Sequence, residues 1–454
     1  MSQSRIIEYN VANATSARAI FYVGHEGVPQ TAPASLHALA QANGFSMTAG
    51  ELLANEDGVL LGVGDGTDTF VIAAAADQLP AGEYILNDAL NENDATLAVF
   101  AWLIGGYRFD RYKSKPAATA RLVAPENADV ATGVLNAEAV MLARDLVNTP
   151  AEDMGPSDIE GVARQIADAY SADISVIVGD DLLTHRFPLV HAVGRAATDA
   201  PRLIDIRWGA ADAPKVTLVG KGVTFDSGGL NIKGATGMSL MKKDMGGAAH
   251  ALALGRMIME AGLNVRLRIL IPAVENAIAG NAFRPSDVLP SRKGLSVEIG
   301  NTDAEGRLIL ADALALGGEE EPDVMISLAT LTGAARVALG PEIIPFYTDN
   351  DEMAIAIEDS SQRVSDPLWR MPLWNNYDAM MSSQIADVNH ISNNGFAGSI
   401  TAALFLRRFV PDSRRWAHFD IYAWRPKSAP GRASGGEAQA IRALFDALSV
   451  KYPR

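Results

Sequence analysis

The sequence predicts an α/β protein in two parts: a smaller N-terminal α/β domain over residues 1–128, then a larger α/β domain over 129–454 on a mostly parallel sheet. Three observations carry that expectation. The chain has 454 residues, too many for one small core. Its second part repeats apolar strand, polar loop and helix, the pattern of a sheet covered by helices on both faces. The composition also turns polar at Pro125-Glu-Asn-Ala-Asp129. A helical pattern then runs from 131 to about 147 and stops at Asn148-Thr-Pro, because proline disfavours helix at the residue before it.

Within the first part, the apolar runs 19–23, 59–63 and 70–74 read as strands, and 35–40 and 94–103 as helices. No polar cluster there has metal or nucleophile spacing. In the second part, 216–219 reads as a strand and 220–247 as a glycine-rich loop. Helix follows at 247–261, strands at 265–274 and 295–299, helix at 308–317 and strand at 324–328. In such folds ligands gather beyond the carboxyl ends of strands.

Composition excludes several chemistries. There are no cysteines, so disulfides, thiolate metal sites and cysteine nucleophiles are absent together. A net charge of −16 disfavours nucleic acid and anionic membrane as main partners. The apolar run 97–103 is far short of the roughly 20 residues of a spanning helix. The opening residues show no basic patch followed by an apolar core, so no signal peptide and a cytoplasmic location are expected.

The chemistry-bearing residues follow strands. Asp226, Asp244, Asp303 and Glu305 would lie at one end of one sheet, where four carboxylates repel unless cations compensate them. A pair of divalent metals would do so. Asp303 and Glu305 are two apart, so in an extended segment both point to one side. The bland alternative is that each acid caps a helix or pairs with Arg256, Lys242 or Lys243; Asp244 and Glu305 both stand just before helices. The seven histidines form no H-E-x-x-H pattern, and His250 reads as packed against its own helix. An oxygen-rich donor set favours Mg²⁺ or Mn²⁺, with zinc still possible. Ser227 lacks the G-x-S-x-G elbow of a serine hydrolase.

Three ordered blocks carry a resemblance: Val219-Gly-Lys-Gly-Val-Thr-Phe-Asp-Ser-Gly-Gly229 with Lys233, Met241-Lys-Lys-Asp-Met-Gly-Gly-Ala-Ala249, and Asn301-Thr-Asp-Ala-Glu-Gly-Arg-Leu308. At these residues the chain resembles the leucyl aminopeptidase family of dinuclear metallopeptidases. The resemblance covers about residues 130–454 and reaches the N-terminal part weakly, through Tyr107-Arg-Phe-Asp-Arg-Tyr-Lys. It implies a catalytic second domain, with Lys221, Asp226, Asp244, Asp303 and Glu305 as ligands of two divalent ions, Mn²⁺ or Zn²⁺. Asp226 and Glu305 would bridge; Lys221 and Asp244 would complete the tighter site, and Asp303 the exchangeable one. It further implies Lys233 and Arg307 as catalytic residues and bicarbonate held by the arginine as general base. Met241, Thr330 and Gly333 would line the pocket for the first side chain. Peptides with a free N-terminal amine would be substrates of a homohexamer.

The sequence departs from the family's pattern in three places. Trp416-Ala-His-Phe-Asp-Ile-Tyr-Ala-Trp424 carries large aromatics where an Ala-Gly pair is common. Asn393-Asn-Gly-Phe-Ala-Gly398 is poor in glycine, and Glu152 stands where asparagine is frequent. None of these is an expected ligand. The alternatives are a non-catalytic DNA-binding or regulatory relative, for which a loss at Lys233 or Arg307 would be the mark, and another dinuclear hydrolase such as a phosphatase.

Overall fold

Short runs of branched apolar residues bounded by glycine form the buried strands of this protein, as in Gly58–Gly64 with the sequence GVLLGVG. The computed structural model describes residues 3–454. They divide into two compact units, one of residues up to Met141 with Arg425–Ser434, the other of Leu142–Trp424 with Gly435–Arg454. The division falls within the helix Val130–Asn148.

In the first unit a six-stranded sheet has the order Ile6–Ile7, Ala120–Val123, Gly82–Leu86, Arg18–Gly24, Gly58–Gly64, Leu52–Asn55. All neighbours are parallel except the last pair. The helix Glu92–Gly105 starts where Asn91 accepts from Asp94 N at 2.9 Å, and its residues from Leu97 onward are all buried. Residues 70–74, expected as a strand, instead form a turn leading into the helix Ala73–Gln78. An apolar run that short does not separate a strand from a buried helix. Its packing against Glu92–Gly105 is so close that a Cβ on Gly105 would stand 2.4 Å from Ala73 O.

The second unit holds a nine-stranded sheet. Its order is Leu368–Arg370, Ile344–Tyr347, Trp416–Asp420, Val324–Ala329, Lys215–Gly220, Arg266–Asn276, Arg202–Trp208, Asp173–Val178, with Gly222–Asp226 also pairing on Arg266–Asn276. The central strands run parallel, and antiparallel pairs lie toward the two sides. The expected mostly parallel sheet is therefore present. The segment expected as a glycine-rich loop is more ordered: it contains the strand Gly222–Asp226, the short helix Ala235–Met238 and the 3-10 turn Met241–Met245. Gly222, Val223 and Asp226 pair with Ala273, Val274 and Asn276, with a register shift between Val223 and Asp226, a pairing that loop glycines alone do not predict.

Helices Gly246–Ala261 and Gly306–Gly318 pack on this sheet with nearly every residue buried. The first can begin where it does because Gly247 has no side chain: a Cβ there would lie 2.1 Å from Leu328 O and 2.6 Å from Lys221 N. Its start is thus pressed against the ends of two central strands. Asp226, Asn276 and Asp420 are the last residues of their strands, and Lys221 and Thr330 directly follow theirs. The functional side chains therefore gather along one carboxyl edge of the sheet.

Candidate active site

Lys221 is delivered to the site by the end of Lys215–Gly220 and is 3 % exposed. Its Nζ donates to Asp244 Oδ2 at 2.7 Å and Thr330 O at 2.9 Å, and lies 3.1 Å from Glu305 Oε1. Burial opposes the ammonium, but Asp244, Glu305 and Asp226 outweigh it and hold its pKa above the ordinary lysine value. Lys233 lies between two acids, 2.8 Å from Asp226 Oδ2 and 2.5 Å from Asp303 Oδ1, and its pKa too is raised.

Asp226 accepts from Gly228 N at 2.9 Å and from Asn276 Nδ2 at 2.8 Å, both at Oδ1. Asp244 accepts at Oδ1 from Thr330 Oγ1 at 2.8 Å. Asp226, Asp244 and Glu305 are all buried and offer oxygens within 4.8 Å of one another. Burial and then Asp226 push the Glu305 carboxyl up to about 8. Its Oε2 is buried with no partner among the described residues, and an orphaned carboxylate oxygen inside a protein is costly unless something binds it. Four carboxylates meet two ammonium groups here in direct ion pairs. The donor set and the surplus negative charge both fit divalent cations.

The bland readings fail at these residues. No side chain caps the helix that begins after Glu305, and Met245, not Asp244, occupies the cap position of Gly246–Ala261. Arg256 pairs with Glu260, and Lys242 donates to Asn148 O. His250 is fully buried between Gly246 O at 2.6 Å and Gln439 N at 2.9 Å, as expected of a packed residue. One expectation needs correction: Asp303 and Glu305 do not share an extended segment. Asn301 accepts from Asp303 N at 2.9 Å and winds Thr302–Ala304 into a 3-10 turn, so Asp303 reaches Lys233 while Glu305 reaches Lys221.

Arg307 is buried in the first turn of Gly306–Gly318. Its Nη1 donates to His390 O at 2.8 Å, and its Nε has no partner among the described residues. Burial pulls its pKa down to about 10. Met241 opens the 3-10 turn that carries Asp244, and Gly333 begins the helix Gly333–Leu339. Thr330 turns its hydroxyl to Asp244, with a second bond of 3.0 Å to Asp244 O.

Sequence reasoning missed the residues that hold these groups in place. Asn276, wholly buried, ties Asp226 to Thr302 O at 3.0 Å. His390 accepts from Gly300 N at 3.1 Å and meets Asn301 O at 2.9 Å, which fixes the turn before Asp303. An asparagine ending an eleven-residue apolar strand was the available signal for the first; the second had none.

With this geometry in hand, comparison with known proteins decides the family. The pattern described as "Cytosol aminopeptidase family, catalytic domain" matches residues 141–445. This chain belongs to that family. The pattern "M17 aminopeptidase, N-terminal domain" matches residues 28–125. The probable cytosol aminopeptidase of Roseiflexus castenholzii is 40% identical over 384 residues, 80% of this chain and 78% of that protein. That of Chlorobium phaeobacteroides is 36% identical over 445 residues, 89% and 88% of the two chains. The crystal structure of cytosol aminopeptidase from Coxiella burnetii superposes with a TM-score of 0.93 at 44% identity, covering 99% of this chain and 100% of that one. "Bottromycin maturation enzyme BotP in complex with Mn" superposes with a TM-score of 0.86 at 31% identity over 96% and 99%.

The resemblance to leucyl aminopeptidases is borne out, as is the two-part α/β fold. The protein is a metal-dependent aminopeptidase of the cytosol aminopeptidase family, a hydrolase that takes peptides as substrates.

Proposed function

We propose that Lys221, Asp226, Asp244, Asp303 and Glu305 hold two divalent ions, Mn²⁺ or Zn²⁺, and that Lys233 and Arg307 carry out the rest of the chemistry. The observation that carries this is the buried trio Asp226, Asp244 and Glu305, whose oxygens lie within 4.8 Å of one another, with Glu305 Oε2 left without a partner among the described residues. When bound, such ions polarise a carbonyl oxygen and make a water nucleophilic near neutral pH.

The chain's own groups then have distinct tasks. A lysine ligand binds as the free amine, so Lys221 Nζ would release to solvent, on metal binding, the proton it holds against Asp244. Lys233, anchored by Asp226 and Asp303, keeps its charge and faces the negative charge that develops on the scissile carbonyl oxygen. With the carboxylates engaged as ligands, none is free as a general base. Arg307, whose buried Nε has no partner among the described residues, provides the fork for an anion of the bicarbonate type that would serve instead. Met241, Thr330 and Gly333 border the side chain of the first residue. We also place the domain boundary at residues 128/129, and the protein in the cytoplasm as a homohexamer, readings supported by the sequence pattern, the names of its relatives and the family resemblance.

The test is hydrolysis of a leucyl dipeptide and of its N-acetylated form, with Mn²⁺ added or after chelation. Cleavage of the free-amine peptide alone, lost on chelation and in Lys233→Ala, is expected. Cleavage that persists in Lys233→Ala, or that needs no metal, would remove these assignments.

A further inference from the structure

Beside the proposed site the chain places two cations on one aromatic ring. Lys243, the residue before Asp244, brings its Nζ to 5.0 Å from the centre of the Tyr422 ring. Arg336 brings its guanidinium carbon to 4.6 Å from the same ring. Lys243 is 2 % exposed, whereas Arg336 is exposed on the helix Gly333–Leu339. The Arg336 guanidinium folds back toward the start of that helix, where a Cβ on Gly333 would lie 3.6 Å from its Nη2.

Neither cation forms an ion pair with a carboxylate among the described residues, nor has Arg336 any hydrogen-bonded partner there. That is unusual in a chain whose net charge is −16. The backbone that carries the ring is held in place: Tyr422 N and Ala423 N both donate to Gln439 Oε1, at 3.0 and 2.8 Å. The same segment borders the proposed ligands, since a Cβ on Gly246 would meet Ala423 Cβ at 2.4 Å and Thr330 Cγ2 at 3.1 Å. Two cations on one ring, neither in an ion pair with a carboxylate among the described residues, make beside Gly333 and Thr330 a receptor for negative charge. An arginine with open donors is suited to a carboxylate in particular.

We infer that Arg336 and Lys243, held on Tyr422, select peptides whose first residue carries an acidic side chain. This rests on the reading of the site given above. Tyr422 then serves as the platform for the two cations.

The experiment compares kcat/KM for glutamyl, glutaminyl and leucyl dipeptides with the metal-loaded enzyme, in the wild type, Arg336→Gln and Arg336→Lys. Glutamate and glutamine are near-isosteric, so their ratio isolates charge and is insensitive to the fraction of folded enzyme. The expected wild-type ratio favours glutamyl by about tenfold or more, as a charge-assisted contact allows. It should collapse in Arg336→Gln and largely persist in Arg336→Lys. A ratio near one, with the leucyl peptide turned over, overturns this inference and leaves the site assignment standing. A glutamyl preference unchanged in Arg336→Gln overturns it equally. Turnover of none of the three peptides would count against the site assignment itself, and this inference would fall with it.

Discussion

Lys221 and Asp244 form an ion pair of 2.7 Å that is almost wholly withdrawn from water, with 3% and 4% of their side chains exposed. Taking both charges out of water is expensive and is offset only by good geometry and further bonds. Thr330 supplies two of those, accepting from Lys221 at its carbonyl and donating to Asp244 through its hydroxyl. The pair still stands within an excess of carboxylates, and that excess sets the first expectation.

Bound metal should raise stability. An ion that binds only the folded chain stabilises it by about 2.7 kcal/mol at a hundredfold excess over its Kd. Melting curves of the chelated protein with and without Mn²⁺ should therefore differ by several degrees. Glu305→Gln should melt no lower than the wild type in chelator, because burial holds that carboxyl at about 8 and the amide replaces a mostly protonated acid of the same shape, but should lose most of the rise on adding Mn²⁺. A full metal-induced rise in Glu305→Gln would mean that Glu305 is not a ligand.

Lys233 and Arg307 should separate binding from chemistry. Lys233→Met removes the ammonium proposed to face developing charge and should lower kcat by about 10²–10³-fold. The Mn²⁺-induced rise in melting temperature should remain, since Lys233 is not among the proposed ligands. Arg307→Met should also lose activity, and with it any stimulation by added bicarbonate. Steady-state rates across a bicarbonate series check this; equal stimulation in wild type and variant would free Arg307 from that role.

Much of this site was legible because its residues stand in three short blocks, the first and the last of which come out of strands. Lys221 follows a strand that the apolar pattern marks and Asp226 was read in the loop after it, so their convergence followed from the rule for parallel sheets, although Asp226 in fact ends a further strand. What the pattern missed is of two kinds. Residues 70–74 look like a strand, yet turn into a buried helix that Gly105, having no side chain, lets pack closely on its neighbour. The grip on Asp226 by Asn276, and on the turn before Asp303 by His390, joins residues 50 and 89 positions apart. No local spacing encodes such contacts. The same holds for Asp303 and Glu305, whose separation in space depends on a turn wound by the Asn301 side chain.

The buried ion pair of Arg144 and Glu437 offers a test of stability away from catalysis. Arg144 donates to Glu437 Oε1 through Nε at 3.0 Å and Nη2 at 2.8 Å, and Ala438 N donates to the same oxygen at 3.0 Å. Arg144→Met would leave a buried carboxylate without its cation and should cost about 3–5 kcal/mol. Glu437→Gln keeps an acceptor in place and should cost less. Urea denaturation gives both values; a loss below 1 kcal/mol in Arg144→Met would show that the carboxylate finds another partner.

The buried histidines should make the protein less stable as the solution is acidified. Burial pulls His250 down to about 4 and His418 down to about 3, both from an ordinary value near 6.5. His418 stacks on Tyr347 and Trp416 and lies 3.0 Å from Ser327 Oγ. In the unfolded chain each ring takes up a proton near pH 6.5, while in the folded chain it stays neutral until far lower pH. The unfolded state therefore binds more protons throughout that window, and stability falls with pH by about 1.4 kcal/mol per unit for each such ring. Glu305 and Asp312 act in the opposite sense, because burial raises them to about 8 and about 7. Wild type and His418→Phe share those carboxylates, so their contribution cancels in the difference between the two. That difference in unfolding free energy, measured between pH 6.5 and 5, should narrow as pH falls, because the variant no longer has the ring that the unfolded wild type protonates. A difference that stays constant over that range would show that His418 is already protonated in the folded protein.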